Sequence, residues 1–409
     1  QDGLKAAPFK SQNMALNSFV TNEGLEMGRA QVMQAEAAGI EPSADMNPIL
    51  LKPTTDVGSQ VIVNGKAIGN MRAVDYFKHK QSLIPQIMSA YNRLSEKYDV
   101  IVIEGAGSPA EINLKKNDIV NMGMAQMAKS PVLLVGDIDR GGVFAQLTGT
   151  YMLLEENEKK YIKGFVMNKF RGDKMILEPG IKMLEDICPV PVTGVLPYTP
   201  LDIDDEDSLS DRLGKKQTDE KNIFICVIKL PRISNFTDFN MLDSVDGCEV
   251  RYVDNGKELW DADCIIIPGT KNTIADMEWL KERKLDRMIR LMNNEGCPVV
   301  GICGGFQMLG RKITDDMGVE GKIKNINGLG LIDAETVMQS EKTCINGSKT
   351  LDGISGLFSV LNGSMAKGYE IHAGVTKVSD KEVICSGKNN VFGTYLHGLF
   401  DKKEFLNKF

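Results

Sequence analysis

The stretch of residues 297–310, CPVVGICGGFQMLG, limits how this chain can fold more than any other. A short apolar run leads into Gly301 and Cys303, two glycines follow, and a segment with helical character comes next. A G-x-C-x-G pattern between a strand and a helix predicts a nucleophile elbow on an α/β sheet, with Cys in place of Ser. The glycines permit the sharp turn, and the helix N-terminus favours a thiolate and offers N–H groups to an oxyanion. We therefore interpret Cys303 as a nucleophile rather than as a buried structural cysteine.

A cysteine nucleophile needs a base, and the chain contains three histidines. His397 lies in FGTYLHGLF, downstream of the elbow, and is our candidate for the base. His79 lies in the lysine-rich segment FKHKQ, which is typical of a solvated surface. For His372, in GYEIHAG, we favour a structural role over a place in the substrate site, and both stay open.

The first half of the chain alternates predicted strands and helices up to residue 197, which indicates a doubly wound, mostly parallel sheet. Residues 99–103, DVIVI, lack polar alternation and predict a strand buried on both faces. Glu104 follows where this strand ends. That is the layout of a Walker B carboxylate, which binds Mg²⁺ beside a nucleotide.

Two more predicted strands end in polar side chains. The strand at residues 4–9 is followed by Lys10 and Asn13, and a later buried strand is followed by Asp137 and Asp139. Ligands of open α/β sheets bind at the carboxyl ends of strands. Lys10 is suited to a phosphate, and the two Asp residues are suited to phosphate, metal or substrate contacts.

The segments GICGGFQMLG and GTYLHGLF resemble those of the class I glutamine amidotransferases. The resemblance implies that glutamine is cleaved through a thioester on Cys303 and that ammonia passes to a second site. It also implies an oxyanion hole built from the backbone N–H groups of Gly269 or Thr270 and of Gly304.

The third member of the amidotransferase triad is a Glu two residues after the His, and here that position is Leu399. We therefore expect a Cys–His pair without its usual carboxylate. In lacking this Glu, the chain resembles the cobyric acid synthase and cobyrinate diamide synthase group, whose members work with a Cys–His pair.

The first half resembles the dethiobiotin synthetase-like branch of the P-loop NTPases through the segments EGAGS, PFKSQNMALNS and NPILLKPT. The resemblance implies ATP and Mg²⁺ as cofactors and Glu104 as a metal ligand. Glu26 is a second metal candidate because of its place in a helix predicted over residues 24–38. The residues expected at the nucleotide or substrate site are Lys10, Asn13, Asp137 and Asp139.

No Walker A pattern, G-x-x-x-x-G-K-[ST], occurs in the sequence. We therefore expect the chain to be a piece of a longer protein. Without the Walker A segment, we expect the piece by itself to be unable to use ATP. The predicted organisation is a synthetase domain at residues 1–205, a polar linker at 206–222 and an amidotransferase domain at 223–409.

The same segments resemble the cobyric acid synthases along the whole chain, and PRISNFTDFN favours them over the diamide synthases, which are Tyr-rich there. The resemblance implies ATP- and glutamine-dependent amidation of carboxylates on (adenosyl)cobyrinic acid a,c-diamide. The substrates would be glutamine, ATP and a corrinoid, and the corrinoid rests on the resemblance alone. The alternatives are an amidotransferase for another carboxylate, as in diamide synthases or cell-wall lipid amidotransferases, a non-catalytic binding module, and a cysteine hydrolase without a synthetase partner.

The composition limits the partners of the chain. A net charge of −7 over 409 residues without a long basic run argues against nucleic acid. No apolar run approaches the length of a membrane span, and eight scattered cysteines without CxxC spacing favour a reducing cytoplasm. Assembly into a homo-oligomer stays open.

Overall fold

A computed structural model describes residues 3–55, 58–201 and 223–409 of the chain. These residues form two compact units. The first comprises the described residues of 1–13, 45–49 and 73–203, and the second those of 14–44, 50–72 and 204–409. The predicted linker at 206–222 lies outside the described residues.

The predicted synthetase half thus contributes residues 14–44 and 50–72 to the second unit. Burial explains part of this assignment, because Val20 packs in one apolar cluster with Tyr369 and Ile371. Strand alternation in the sequence does not reveal which sheet such segments will join.

The first unit is built on parallel strands, as predicted. The strand Ala6–Phe9 pairs with Val100–Ile103, and a separate three-stranded sheet has the order Val192–Pro197, Ile162–Phe170, Val132–Asp137. The α-helices of this unit are Ala73–His79, Ile84–Ser95, Met122–Ala128, Val143–Leu153, Glu156–Lys159 and Lys174–Ile187. Short 3₁₀ helices span Lys80–Leu83 and Lys115–Asn117.

The sequence predicts that the strand Val100–Ile103 is buried on both faces, but one of its faces is exposed. Successive residues of a strand point to opposite faces, and the side chain of Val102 is 61% exposed. Leu133 and Val135 of another strand are exposed in the same alternating way. Within the described ranges, helices therefore cover one face of these strands and leave the other uncovered.

The second unit has a six-stranded central sheet that is parallel except at one edge. The strand order is Cys248–Val253, Ile223–Ile228, Cys264–Ile267, Val299–Ile302, Val391–Thr394 and, antiparallel, Cys385–Lys388. The β-branched residues of its central strands Cys264–Ile267 and Val299–Ile302 are buried, as expected for parallel strands covered on both faces. The α-helices of the unit are Arg29–Ala37, Asn240–Asp243, Thr273–Glu282, Leu285–Asn294, Gly304–Leu309 and Lys403–Lys408. Its 3₁₀ helices include Phe236–Phe239, Gly256–Leu259 and Gly356–Leu361, and another, Ala44–Met46, contains residues assigned to both units.

A second, mixed sheet adjoins this core and is dominated by two long antiparallel strands, Ala334–Thr350 and Met365–Val378. The short strand Leu396–His397 pairs with the latter. The remaining strands of this sheet are Lys312–Thr314, Asn325–Asn327 and Lys381–Glu382. Another antiparallel pair joins Ile233–Ser234 to Gly269–Thr270.

The early segments of the second unit form hairpins. Gly58–Val63 pairs with Lys66–Arg72 across Asn64 and Gly65, which both have positive φ, as the Asn-Gly dipeptide favours in a hairpin turn. Ser18–Val20 pairs with Glu26–Gly28, so the helix predicted from residue 24 begins only at Arg29. Strand pairing takes precedence there over the helix-forming residues of the sequence. The strands Gln12–Met14 and Ile49–Thr55 cross between the units.

None of the helices that the structure describes is both long enough and apolar enough to cross a membrane.

Candidate active site

Cys303 stands at a sharp turn between the strand Val299–Ile302 and the helix Gly304–Leu309. Its φ of 53° and ψ of −108° lie outside the regions that L-residues ordinarily adopt. The Cys303 N–H donates to the carbonyl of Thr394 at 2.8 Å and holds the turn in place. A strained nucleophile at a strand-to-helix turn is the geometry of the elbow that the sequence predicts.

The glycines around Cys303 are required by close backbone packing. A β-carbon on Gly305 would lie 1.9 Å from the carbonyl oxygen of Ile267. A β-carbon on Gly301 would lie 2.7 Å from the backbone of Gly305. No real contact is that short, so the elbow can form only with glycine at both positions.

His397 is fully buried, and a carboxylate holds its ring. Its Nδ1–H donates to Oδ2 of Asp238 at 2.6 Å, and the backbone N–H of Gly398 donates to Oδ1 of the same carboxylate at 3.1 Å. Asp238 lies in the 3₁₀ helix Phe236–Phe239 and is itself buried. The Nε2 atom of His397 has no hydrogen-bond partner among the described residues, which leaves it available to Cys303.

The charge on the imidazole is favoured despite its burial. Burial alone would lower the pKa of His397, but the charge and hydrogen bond of Asp238 and a contribution from the Cys303 thiol outweigh it and raise the pKa to about 10. Near neutral pH the ring is therefore an imidazolium beside the thiol. This arrangement favours a Cys303 thiolate as nucleophile and a proton on His397 for a leaving amine.

Asp238 supplies the carboxylate partner of His397 that the sequence does not predict. The site usually occupied by the triad carboxylate holds Leu399, which is buried. The carboxylate arrives instead from a segment 159 residues earlier in the chain. The expectation of a Cys–His pair without a carboxylate partner is therefore corrected.

The residues expected to form the oxyanion hole lie together. The backbone N of Thr270 is 3.1 Å from the point that a β-carbon on Gly304 would occupy. The point that a β-carbon on Gly269 would occupy is 3.2 Å from Cε1 of His397. Backbone amides from the strand Gly269–Thr270 and from the helix start thus share the space beside Cys303 and His397, where the predicted oxyanion hole would lie.

A cavity of about 1070 Å³ opens onto Cys303, and the residues that line it all belong to the second unit. Its wall includes Gly304, Gln307 and His372 near the nucleophile. Other lining residues come from the hairpin Gly58–Val63 and Lys66–Arg72. The segments that the sequence assigned to the synthetase half therefore help to enclose the cavity at Cys303.

His372 combines the two roles that the sequence left open. Its Nδ1–H donates to the carbonyl of Gly374 at 2.7 Å, and its ring stacks on Tyr395 at a centroid distance of 3.7 Å. Its Nε2 lies 3.4 Å from Glu370. These contacts are structural, although the side chain also lines the cavity. His79 is exposed, as predicted.

Glu26 is buried among lysines in the cavity wall rather than placed for a metal. Its carboxylate accepts from Lys52 at 2.9 Å and from Lys342 at 2.6 Å. Burial would raise the pKa of Glu26, but the two lysines overcome it and hold the pKa far below its usual range. A carboxylate whose two oxygens are bound to ammonium groups is a poor metal ligand, and the prediction of Glu26 as a second metal contact is not supported.

The predicted nucleotide site lies in the first unit. Lys10 Nζ lies 3.1 Å from Oε1 of Glu104, because Phe9 and Ile103, which precede them, are register partners in the parallel pair. Asn13 is buried in the strand Gln12–Met14.

Asp137 and Asp139 occupy the end of a strand in the other sheet of this unit. Asp137 accepts from Lys169 at 2.9 Å, and this hydrogen bond lowers the pKa of Asp137. Asp139 accepts from Arg171 at 2.8 Å. Both carboxylates are thus paired with cations, and the strand end carries charges of both signs.

Among the residues that the structure describes, no group of three His, Cys, Asp or Glu side chains is arranged to hold a metal ion. Mg²⁺ commonly takes only one or two carboxylates together with phosphates and water. Glu104, with 38% of its side chain exposed at a strand end, fits such a limited role.

Sequence reasoning missed the cationic side of the cavity as well as Asp238. Lys52, Lys271 and Lys342 all line it. The first two lie in NPILLKPT and PGTKNT, segments that the sequence singles out for other reasons. Lys271 directly follows the strand Gly269–Thr270, which was a signal for ligand contacts, but Lys52 lies within the strand Ile49–Thr55, and nothing in the sequence places the two in one cavity.

Comparison with known proteins gives two domain families. Residues 224–405 match the CobB/CobQ-like glutamine amidotransferase domain, and residues 70–204 match the AAA domain.

Full-length relatives match almost the whole chain. It is 55% identical to a cobyric acid synthase of Lachnoclostridium phytofermentans over 430 residues, which covers 98% of this chain and 83% of that protein. It is 53% identical to a cobyric acid synthase of Ruminiclostridium cellulolyticum, covering 100% of this chain and 82% of the relative. A solved glutamine amidotransferase structure aligns with 45% of this chain and 95% of its own, at 18% identity and a TM-score of 0.33.

Proposed function

The chain belongs to the cobyric acid synthase family, and we propose that Cys303, His397 and Asp238 release ammonia from glutamine for the amidation of a corrinoid. Members of this family are glutamine-hydrolysing amide ligases of cobalamin biosynthesis. The substrate would be (adenosyl)cobyrinic acid a,c-diamide, whose peripheral carboxylates become amides in cobyric acid.

One observation carries the glutaminase assignment. The buried His397 is bonded to Asp238 through Nδ1 and has Nε2 available beside a strained Cys303. A nucleophile, a base and a carboxylate that orients the base are the parts that acyl transfer requires.

The chemistry follows from these contacts. The Cys303 thiolate attacks the carboxamide carbon of glutamine, and the oxyanion is stabilised by N–H groups of Thr270 and Gly304. The proton on His397 passes to the amide nitrogen, the C–N bond breaks and ammonia leaves. The neutral His397 then takes a proton from water, whose oxygen attacks the γ-glutamyl thioester. Glutamate departs, the surplus proton passes to the released ammonia, and the Cys303 thiolate and the imidazolium of His397 are restored.

The first unit would carry the synthetase chemistry. Lys10 would contact a phosphate of ATP, and Glu104 would bind Mg²⁺, which neutralises phosphate charge when it is bound. Asn13, Asp137 and Asp139 remain candidates for nucleotide or substrate contacts. The ammonia would then replace phosphate on the activated carboxylate and form the amide.

All eight cysteines are free. Free thiols are typical of a reducing compartment, which supports a place in the cytoplasm.

The test is a change of nitrogen donor. The enzyme in a longer form that carries a Walker A segment, as wild type and as Cys303→Ala, is supplied with ATP, Mg²⁺ and the corrinoid a,c-diamide, and with either ¹⁵N-amide glutamine or ammonium chloride. Mass spectrometry of the corrinoid then measures incorporation. We expect Cys303→Ala to lose glutamine-dependent labelling and keep ammonium-dependent amidation.

Cys344→Ala is the matched control, because Cys344 lines the same cavity. Glutamine-dependent labelling that survives in Cys303→Ala would contradict the glutaminase role. Absence of amidation by wild-type enzyme with either donor would contradict the amidation.

A further inference from the structure

The cavity that opens onto Cys303 carries an excess of positive charge on one wall. Lys52, Lys271 and Lys342 line it together with Glu26. Both Lys52 and Lys342 are ion-paired with Glu26, at 2.9 and 2.6 Å. One carboxylate therefore serves two lysines, and the third lysine adds further charge.

Lys271 differs from the other two lysines in its partners. Within the part of the chain that the structure describes, no carboxylate lies within ion-pair distance of its Nζ. Glu320, the nearby acid of the wall, instead accepts from Thr273 Oγ1 at 3.2 Å and from the Ile274 N–H at 3.0 Å. Lys271 thus lines the cavity without a carboxylate as ion-pair partner among the described residues.

The pKa of Lys271 also reflects the lack of a carboxylate beside its Nζ within the described ranges. Burial, and then the charges of Lys342 and Lys52, lower the pKa of Lys271 to about 7, although Glu26 and Glu320 act in the opposite direction. A carboxylate beside Nζ would restore the charged form. A side chain whose charge is costly until an anion arrives is suited to binding an anionic group.

The backbone holds Lys271 at a fixed place relative to the oxyanion donors. It directly follows Thr270, and its N–H donates to the carbonyl of Arg232 at 3.0 Å. The fully buried Asp276 accepts from Thr270 Oγ1 at 2.5 Å and from Arg232 at 3.0 Å. The loop is therefore anchored at Thr270 through its side chain and at Lys271 through its backbone N–H.

Glutamine has one carboxylate, at the opposite end of a short aliphatic chain from its carboxamide. With the carboxamide carbon at Cys303 and its oxygen toward Thr270, the α-carboxylate lies on the cavity side. Resting on the glutaminase function proposed above, we propose that Lys271 binds this α-carboxylate and makes the site specific for glutamine. Lys52 and Lys342, held by Glu26, add positive potential behind it.

The test combines a residue change with a substrate change. Lys271→Met removes the charge and keeps most of the side-chain volume, and Lys271→Arg keeps the charge. Each is assayed with glutamine and with 4-aminobutanamide, which is glutamine without its α-carboxylate. Lys257→Ala, a change at an exposed lysine, is the matched control.

For Lys271→Met we expect KM for glutamine to rise about 10- to 100-fold, the usual range for a lost charged hydrogen bond, with kcat within about threefold. Turnover of 4-aminobutanamide stays unchanged, so the preference for glutamine falls by the same factor. Lys271→Arg recovers most of the preference. The Lys257→Ala enzyme behaves as wild type.

An equal loss of kcat/KM for both substrates would assign Lys271 a structural role and overturn the inference. An unchanged KM for glutamine would overturn it as well. Both results differ from failure of the proposed function itself, in which Cys303→Ala would still release glutamate from glutamine.

Discussion

The carboxylate of Asp238 and the imidazole of His397 are joined by a 2.6 Å hydrogen bond in a fully buried setting. The second oxygen of Asp238 is held by the Gly398 N–H at 3.1 Å, so the carboxylate is fixed relative to the ring. This contact sets the tautomer of His397 and stabilises its charged form. In the proposed mechanism, Asp238 supplies the third group of the triad that position 399 lacks.

Replacing Asp238 should slow glutamine hydrolysis without preventing glutamine binding. Asp238→Asn keeps the size of the side chain and removes the charge, so we expect kcat to fall about 10²- to 10⁴-fold, as for a triad carboxylate. KM should change little. The measurement is steady-state glutamate release, with the exposed Asp246→Asn as control. A kcat within threefold of wild type would show that Asp238 does not orient the base.

The raised pKa of His397 also predicts a pH-dependent stability. Since its folded pKa is about 10 and its ordinary value is 6.5, the stabilisation is fully present below about pH 6.5 and is lost as pH rises through 10. Asp238→Asn removes the main cause of the upward shift. We expect the free energies of unfolding of the two proteins to differ most near pH 6 and to converge toward pH 10, at about 1.4 kcal/mol per unit of pKa change. Urea denaturation at several pH values measures this, and a gap that stays constant would contradict the charged pair.

Glu26 should matter for folding rather than for metal binding. Glu26→Gln leaves Lys52 and Lys342 close together without their shared counter-charge, and breaking such a buried pair costs about 3 kcal/mol. Chemical denaturation measures the loss, with the exposed Glu23→Gln as control. A loss of affinity for Mg²⁺ with unchanged stability would restore the metal interpretation.

Gly304 tests the position of the oxyanion hole. A β-carbon there would lie 2.7 Å from Thr270 Cγ2 and 3.1 Å from the Thr270 N, so Gly304→Ala should displace the donor pair. We expect kcat to fall about 10²-fold or more, the effect of losing one oxyanion donor. Gly347→Ala is the control, because no atom lies within 4 Å of its added β-carbon. Retention of full activity by Gly304→Ala would place the oxyanion elsewhere.

The sequence was a good guide where the relevant residues are neighbours along the chain. The elbow at Cys303 was predictable because the apolar run, the nucleophile and the glycines are contiguous. The parallel strands of the first unit and the Asn64-Gly65 turn were predictable for the same reason. Lys10 and Glu104 could be expected to meet, because parallel strands bring their ends to one edge.

The remaining features depend on contacts between distant segments. Asp238 lies 159 residues before His397, and PRISNFTDFN does not reveal which of its polar side chains will face the histidine. Glu26 and Lys52 come from segments that strand alternation assigns to the first half of the chain. Only their packing within the second unit places them beside the cavity.

The most direct test of this account is glutamate release from glutamine by the purified protein, compared with Cys303→Ala and Cys344→Ala in a coupled assay. We predict that Cys303→Ala abolishes release and that Cys344→Ala, which removes a second thiol from the same cavity wall, retains it. Undiminished release by Cys303→Ala would show that the strained turn at this cysteine is structural and that the glutaminase account is wrong.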